Sequence, residues 1–171
     1  MKKLLCLTFI CLTVLACKKD DDTLAQQTYV PDDNFEAYLE ANRMGNGIAN
    51  DDSVLTANIS WVTVLDLGRN GQNISDLTGI EDFTDLNHLV CWNNQLTNLD
   101  VTQNTPLTYL SCSANQLTSL DVSQNTALFM LDCGNNQLTS LDLSSNTALT
   151  YLDCPQNQLT NLDVSNNAAL A

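Results

Sequence analysis

The hydrophobic positions between residues 86 and 169 recur with a fixed period of 21 residues. Four copies follow one another without insertion or deletion, at 86–106, 107–127, 128–148 and 149–169. A fixed period in the twenties predicts a solenoid in which each repeat forms one coil. Six positions of every copy are apolar, and in the second copy they are Leu107, Leu110, Cys112, Leu117, Leu120 and Val122.

Within each repeat, the pairs L-x-C and L-x-V or L-x-L place apolar residues two apart. This alternation is typical of β-strands, and no part of the repeat has helical periodicity. Stacked coils would place like strands side by side and parallel, about 4.8 Å apart. The sequence thus predicts a mainly β solenoid with two narrow parallel sheets that face each other across a leucine core.

The letters L-x-x-L-x-C-x-x-N-x-L resemble the leucine-rich repeat pattern, with cysteine at the third apolar position. The full repeat is similar to the 21-residue IRREKO type of bacterial leucine-rich repeat. That resemblance covers about half of the chain and implies a secreted or surface protein that binds other proteins. The preceding residues, 62–85, resemble an internalin-like repeat: Val62, Leu65, Leu67 and Asn70 take repeat positions, and Ile74, Leu77, Ile80 and Phe83 fill the return path.

The first coil needs a cover, because its leading edge would otherwise expose apolar side chains. Residues 29–61 predict a short N-terminal helical cap, and the solenoid follows from 62 to 171. A helix should open at Pro31-Asp32-Asp33, with Asp33 and Glu36 forming a capping box, and should end at Gly45. The pair Asp51-Asp52 hints at calcium but lacks the spacing of an EF-hand loop. The apolar stripe of the cap consists of Val30, Phe35, Tyr38 and Leu39.

Residues 1–17 have a basic start, a short apolar run and a small residue before the last position, as in a secretory signal peptide. The ending Val14-Leu15-Ala16-Cys17 resembles a bacterial lipobox, which implies cleavage before Cys17 and acylation of its sulfur. Ordinary cleavage that leaves a free cysteine is the alternative. Residues 18–28 predict a disordered tether. Its lysines and acidic run resemble the export tag of surface lipoproteins, which implies outer-membrane anchoring and exposure at the cell surface.

Twenty acidic residues against six basic ones give a net charge of −14, and no lysine or arginine follows Arg69. A surface of that sign repels phosphate backbones, so nucleic-acid binding is not expected. The membrane should be contacted through the lipid anchor alone. An acidic surface favours cationic partners, although it also serves simply to keep a protein soluble.

Four of the seven cysteines occupy one repeat position and should point inward. Neighbours about 4.8 Å apart are too distant for the roughly 3.8 Å between β-carbons that a disulfide prefers, so small buried free thiols are expected. Strained pairs or a metal are the alternatives. His88 and Cys91 are three apart on a strand and should face opposite ways. No catalytic constellation, cofactor or metal site is therefore predicted. The column consists of Cys91, Cys112, Cys133 and Cys154.

Two columns of asparagine fall at the turns of the repeat. Because an asparagine amide both donates and accepts, each column should bond to turn backbone and to the neighbouring coils. A column of aspartate should point outward between the second strand's apolar residues, where a solvated, edge-protecting role is favoured over calcium binding. The asparagines are Asn94, Asn115, Asn136 and Asn157, then Asn104, Asn125, Asn146 and Asn167; the aspartates are Asp100, Asp121, Asp142 and Asp163.

Positions three, five and seven of each repeat vary and should point away from the core. Exposed aromatic and methionine side chains on a rigid strand are what a binding site uses, although unconstrained surface drift would give the same variation. The partner would be a protein, on a host or neighbouring-cell surface, with a glycan as the weaker alternative. The predicted ligand-binding face is His88, Val90, Trp92, Tyr109, Met130, Asp132, Tyr151 and Asp153.

The sequence therefore predicts a lipid-anchored surface protein that mediates adhesion or protein–protein interaction and is not an enzyme. The alternative is a truncated or accessory structural segment of a larger surface protein. The chain stops at Leu170-Ala171, the first step of another coil. We expect either truncation or an exposed end that pairs with something.

Overall fold

The computed structural model describes residues 25–69 and 71–170. The predicted signal peptide at 1–17, its Cys17 and the first part of the tether lie outside the described residues, as do Asn70 and Ala171. None of the helices in the described part of the chain is long and apolar enough to cross a membrane.

An N-terminal cap precedes the coils and contains more regular structure than the predicted helix alone. Its elements are β1 (Gln27–Tyr29), α1 (Asp33–Ala41), β2 (Ser53–Leu55) and α2 (Thr56–Ile59), and β1 pairs antiparallel with β2. The helical cap is confirmed. The two strands and the second helix were not predicted; β1 starts inside the stretch expected to be tether, and β2 and α2 lie after the expected helix.

Helix α1 begins where expected, after Pro31, but the predicted capping box and the predicted end at Gly45 were wrong. The N-cap is Asp32, whose carboxylate accepts the N–H groups of Asn34 and Phe35 at 3.0 Å. Glu36 is buried and does not close a capping box, because its carboxylate accepts the N–H groups of Asp51 and Asp52. The helix ends at Ala41, with Asn42 at the C-cap, and not at Gly45.

Asp32 also joins the cap to the first coil. Its second carboxylate oxygen accepts the N–H and the hydroxyl of Ser75, both at 2.8 Å, and the N–H of Asp76 at 3.2 Å. Burial raises the pKa of Asp32, but these hydrogen bonds and the N–H of Phe35 outweigh it, so the pKa lies below its ordinary value. One carboxylate thus fixes both the start of α1 and its position on the solenoid.

The coils stack through one five-stranded parallel sheet. Its strands are β3 (Val64–Asp66), β4 (His88–Val90), β5 (Tyr109–Ser111), β6 (Met130–Asp132) and β7 (Tyr151–Asp153), and they pair in sequence order. A single 3₁₀ turn, Ile80–Asp82, lies on the return path of the first coil. The central residue of each strand faces its counterpart in register, and the first four are buried: Leu65, Leu89, Leu110 and Leu131.

The prediction of two parallel sheets was wrong in its second sheet. Among the described residues, the second half of the coils forms one isolated parallel bridge, between Asp100 and Asp121. Leu99 and Val101 are buried as expected. The strand cannot continue, because the Val101 carbonyl accepts the N–H of Asn104 and the amide of Asn125, both at 3.0 Å, in a turn that starts at once.

The first column of asparagines ties each coil to the one before it, as predicted. Asn115 is representative: its amide oxygen accepts the N–H of Leu96 at 3.0 Å, and its amide nitrogen donates to the carbonyls of Cys91 and Cys112. The Leu96 N–H is buried and has no other acceptor among the described residues, whereas the two carbonyls also accept from Asn94 and Asn136 of the neighbouring coils. The column is therefore structural.

The second column donates but does not accept. Asn125 donates to the carbonyls of Val101 and Asn104 in the preceding coil, at 3.0 and 2.9 Å. Its own amide oxygen is buried and accepts no hydrogen bond from the described residues. The expectation that these amides both donate and accept is met in the first column only.

We expect Asn115→Ala to lower the free energy of unfolding by about 1–3 kcal/mol, the cost of one orphaned buried group, because the Leu96 N–H loses its acceptor. Urea denaturation measures the change. Gln116→Ala is the matched control, since Gln116 is the next residue and is exposed; we expect it to change the free energy by less than about 0.5 kcal/mol. Equal effects of the two substitutions would contradict the role of the column.

Candidate functional site

The outward side chains of the five-stranded sheet form one continuous surface, here called the outer sheet face. Parallel pairing in register aligns equivalent residues of consecutive coils in rows that cross the strands. The first row is Val64, His88, Tyr109, Met130 and Tyr151. The second row is Asp66, Val90, Ser111, Asp132 and Asp153.

The first row is apolar and largely aromatic. The rings of His88 and Tyr109 stack with centroids 3.9 Å apart and planes 12° from parallel. Met130 is half-buried beside Tyr109, and Tyr151 is 52% exposed at the end of the row. This row therefore presents preformed apolar contact area, which costs little side-chain entropy to use.

The second row is polar and becomes acidic toward β7. The Asp132 carboxylate accepts the hydroxyls of Ser111 at 2.9 Å and Ser113 at 2.7 Å, and the N–H of Gly134 at 3.3 Å. Ser111, expected to point freely outward, is buried and donates one of these bonds. Asp153 is the register partner of Asp132 on the neighbouring strand. Two carboxylates thus lie side by side on this end of the face.

At the other end of the second row, Asp66 is bonded to other residues of its own chain. Arg69 donates to its carboxylate at 2.6 Å, and the N–H of Gly68 donates to its other oxygen. The Tyr38 hydroxyl of helix α1 donates to the Asp66 carbonyl at 2.9 Å. Burial, followed by the charge of Asp66, raises the pKa of Tyr38. At this end, the outer sheet face is therefore in contact with the cap.

Two rings extend the face beyond the strand ends, because small residues in the preceding coil leave space for them. Trp92 is 42% exposed and its indole occupies the place of a Gly68 side chain, since a β-carbon there would lie 2.4 Å from Nε1. Pro155 packs on Gly134 in the same manner, 3.0 Å from such a β-carbon.

The structure brings all eight predicted face residues together on this surface. It adds Val64, which is 57% exposed, and Asp66 from the first coil. Both could have been found from the sequence, because Leu65 and Leu67 were assigned inward and the residues before each of them must then point outward.

The four cysteines line the core under this face. Cys91, Cys112 and Cys133 are fully buried, Cys154 is half-buried, and all four are free thiols, as expected. Burial raises the pKa of Cys91 and of Cys133 to about 12 and that of Cys112 well above its ordinary value. Thiols held protonated in this way are poor nucleophiles and poor metal ligands at neutral pH.

His88 does not activate Cys91. The histidine lies on the outer face against Tyr109, whereas the cysteine is buried on the opposite side of the strand. The predicted separation of the two side chains is confirmed. They cannot act as a base and its nucleophile.

The aspartate column has a local structural task as well as exposure to solvent. Asp121 accepts the N–H of Ser123 at 2.9 Å, and Asp142 and Asp163 accept the N–H groups of Ser144 and Ser165 in the same way. The serine N–H and hydroxyl groups lower the pKa values of these three carboxyls. Each of these aspartates therefore begins the turn at the end of the second half of its coil.

Three carboxylates of the cap, from Asp33, Glu36 and Asp52, have ligand oxygens within 4.8 Å of one another. Asp51, the other residue of the pair considered for calcium, instead accepts from Asn46 and Ser53. Glu36 already accepts two backbone N–H groups. The trio therefore offers far fewer free oxygens than the roughly six to eight that calcium takes.

Comparison with known proteins matches this architecture. The chain is 40% identical to internalin J of Listeria monocytogenes over 93 residues, which are 54% of this chain and 10% of internalin J. The solved functional domain of the Listeria monocytogenes protein InlJ, described as including a cysteine ladder, superposes with a TM-score of 0.76 at 42% identity. This likeness covers 85% of the chain and 32% of that domain. The chain resembles internalin J in sequence and shares its leucine-rich repeat fold.

Two further solved internalins share the fold of these internalin-like repeats. InlF of Listeria monocytogenes has a TM-score of 0.64 at 20% identity, with coverage of 83% of this chain and 48% of that one. Internalin C2 has a TM-score of 0.56 at 18% identity, with 86% and 96% covered. No family model matches the sequence. The chain spans about a tenth of the length of internalin J.

We expect Gly68→Ala to displace the Trp92 indole from the outer sheet face, because the added β-carbon would overlap the ring. Fluorescence of a Trp61→Phe background, in which Trp92 is the only remaining tryptophan, should shift its emission to longer wavelength. Gly47→Ala is a poor control, because the backbone angle φ of Gly47 is +87°. The control is Ser119→Ala, at an exposed position on the second half of its coil, which should leave the spectrum unchanged. An unchanged spectrum in the Gly68 variant would contradict the packing.

Proposed function

We propose that this protein is an exported, lipid-anchored surface protein that binds a protein partner through the outer sheet face. The observation that carries the proposal is the first row, in which His88, Tyr109, Met130 and Tyr151 align on one rigid sheet. Aromatic and methionine side chains are enriched in the energetically dominant parts of protein interfaces. The likeness to internalins, which are leucine-rich repeat proteins, agrees with an interaction role.

The rigidity of the face supports binding because the side chains need little reorganisation. Each strand is bonded to both neighbours, except at the ends of the sheet, and its central leucine is packed in the core. Binding then loses less conformational entropy than it would on a mobile loop. A glycan is the weaker candidate, because the first row is largely apolar.

The second candidate function is that of a spacer or stacking unit within a larger surface protein. The strict repetition of core residues and turn asparagines favours it, since these features build a rigid rod without needing a ligand. The two candidates differ in what they require of the outward side chains. A spacer tolerates their replacement, whereas a binding face does not.

We expect the triple substitution of Tyr109, Met130 and Tyr151 by Ser to weaken binding to the protein's surface partner at least tenfold, because it removes the apolar contact area. The partner is first isolated by screening purified surface proteins, and affinity is then measured by surface plasmon resonance. The control replaces Thr118, Thr139 and Thr160 by Ser on the second half-coils, where all three are exposed. If both triple variants bind as the wild type does, the spacer function is favoured.

We expect Cys17→Ser to release the protein from membranes, because acyl chains on that residue would be the anchor. Each buried methylene contributes about 0.8 kcal/mol, so two or more chains hold a protein stably. Detergent phase partition and intact mass measure the loss. Cys11→Ser, within the apolar run, should leave both unchanged. Continued membrane association of the Cys17 variant would contradict lipid anchoring.

A further inference from the structure

We propose that the outer sheet face binds an arginine side chain of its protein partner at the corner formed by Asp132, Asp153 and Tyr151. This inference rests on the proposed function and names the chemistry of the partner. The corner lies at the β7 end of the face, where the acidic part of the second row meets the exposed ring of the first row.

The chain supplies no cation to this corner from its described residues. Their only lysine or arginine residues are Arg43, before the coils, and Arg69, which is engaged by Asp66 at the far end of the row. With a net charge of −14 for the whole protein, the corner adds local negative charge to an acidic molecule. Charge complementarity therefore selects a cationic partner.

The carboxylates of Asp132 and Asp153 differ in the hydrogen bonds that they accept from their own chain. Asp132 is fixed in place by the hydroxyls of Ser111 and Ser113. Asp153, its register partner, is half-buried and accepts no side-chain hydrogen bond from the described residues. Like charges on adjacent strands, about 4.8 Å apart, repel each other. A cation between them removes that repulsion.

Arginine fits this arrangement better than lysine. A guanidinium carries five donors in a planar fork and can bond to two neighbouring carboxylates at once, whereas an ammonium acts as a point charge. Its flat face can also stack on an aromatic ring. Tyr151 precedes Asp153 by two residues on the same face and is 52% exposed, so its ring is available for such a contact.

A divalent metal ion is the weaker occupant of the corner. Asp132 and Asp153 supply the only carboxylates there from these strands, and Asp132 already accepts three hydrogen bonds. Calcium takes roughly six to eight oxygen ligands. The corner therefore suits a multivalent donor group and not a bare cation.

The experiment measures the binding of fluorescent nona-arginine and nona-lysine peptides to the full chain at physiological salt by anisotropy. We expect nona-arginine to bind at least threefold more tightly than nona-lysine. Asp153→Asn and the double variant Asp132→Asn/Asp153→Asn should weaken nona-arginine at least fivefold and tenfold. Tyr151→Leu should weaken it about two- to fivefold through the lost ring contact.

The control is Asp121→Asn/Asp142→Asn, which removes the same two charges from the opposite half of the coils. We expect it to weaken nona-arginine less than twofold. Equal losses in the two double variants would show diffuse attraction to net charge and would overturn the inference. Equal affinity for the two peptides, or no binding of nona-arginine to the wild type, would overturn it as well. Circular dichroism of each variant excludes unfolding, and Asp153→Asn breaks no side-chain hydrogen bond within the described part of the chain.

The outcome is separable from that of the proposed function. If the peptide result fails but the triple substitution of Tyr109, Met130 and Tyr151 still abolishes partner binding, the face binds a protein without an arginine anchor. If the peptide result holds while the partner binds the triple variant normally, the corner binds arginine peptides but the partner binds elsewhere. The inference that the corner binds an arginine of the partner is then overturned.

Discussion

A column of buried carboxamides joins consecutive coils at the end of each strand, and the rest of the solenoid depends on it. A coil of 21 residues has to turn tightly after each strand, and the turn leaves buried backbone groups without ladder partners. Each amide of the column bonds to its own turn and to the coil before it, as Asn115 does with Cys112 and Cys91. Because the same position solves the same problem in every coil, the strands remain in register and the leucines remain stacked.

The two halves of the coil differ because their turns start at different points. After β4 the chain runs on through Cys91 before it turns, so three residues pair with the neighbouring strand. In the second half, Asp100 accepts the N–H and hydroxyl of Thr102, and the turn begins directly after the buried pair. One side of the solenoid is consequently a sheet with an ordered outer surface, and the other is a stack of turns. That asymmetry places the row of His88, Tyr109 and Tyr151 on one ordered face.

Each core residue of the four regular repeats could be predicted from the sequence, because its position depends only on the 21-residue period and on alternation within the strands. The sidedness of the strands, the burial of the thiols and the separation of His88 from Cys91 all follow from alternation. The second sheet was predicted wrongly, because L-D-V reads as a strand by alternation alone while the aspartate makes it a turn. The cap was predicted only in part. Its strands β1 and β2 are three residues long, and their pairing depends on contacts that no local pattern encodes.

The candidate site shows the same division between local and non-local information. Its eight residues could be named because they occupy outward positions in a regular repeat. Their mutual contacts could not, since the stacking of His88 on Tyr109 and the seating of Trp92 on Gly68 depend on side-chain conformations in adjacent coils. The bond between Asp132 and the hydroxyls of Ser111 and Ser113 likewise joins residues from two coils.

The identical length of the four regular coils has a consequence for how such a surface can evolve. Every coil begins and ends at the same point of the backbone, so recombination between two gene copies inserts or deletes a complete layer and leaves the junction intact. The interior columns simply grow or shrink by one member. Each added layer brings its own three outward residues. The exposed surface can thereby become wider or narrower while the core beneath it keeps the same structure.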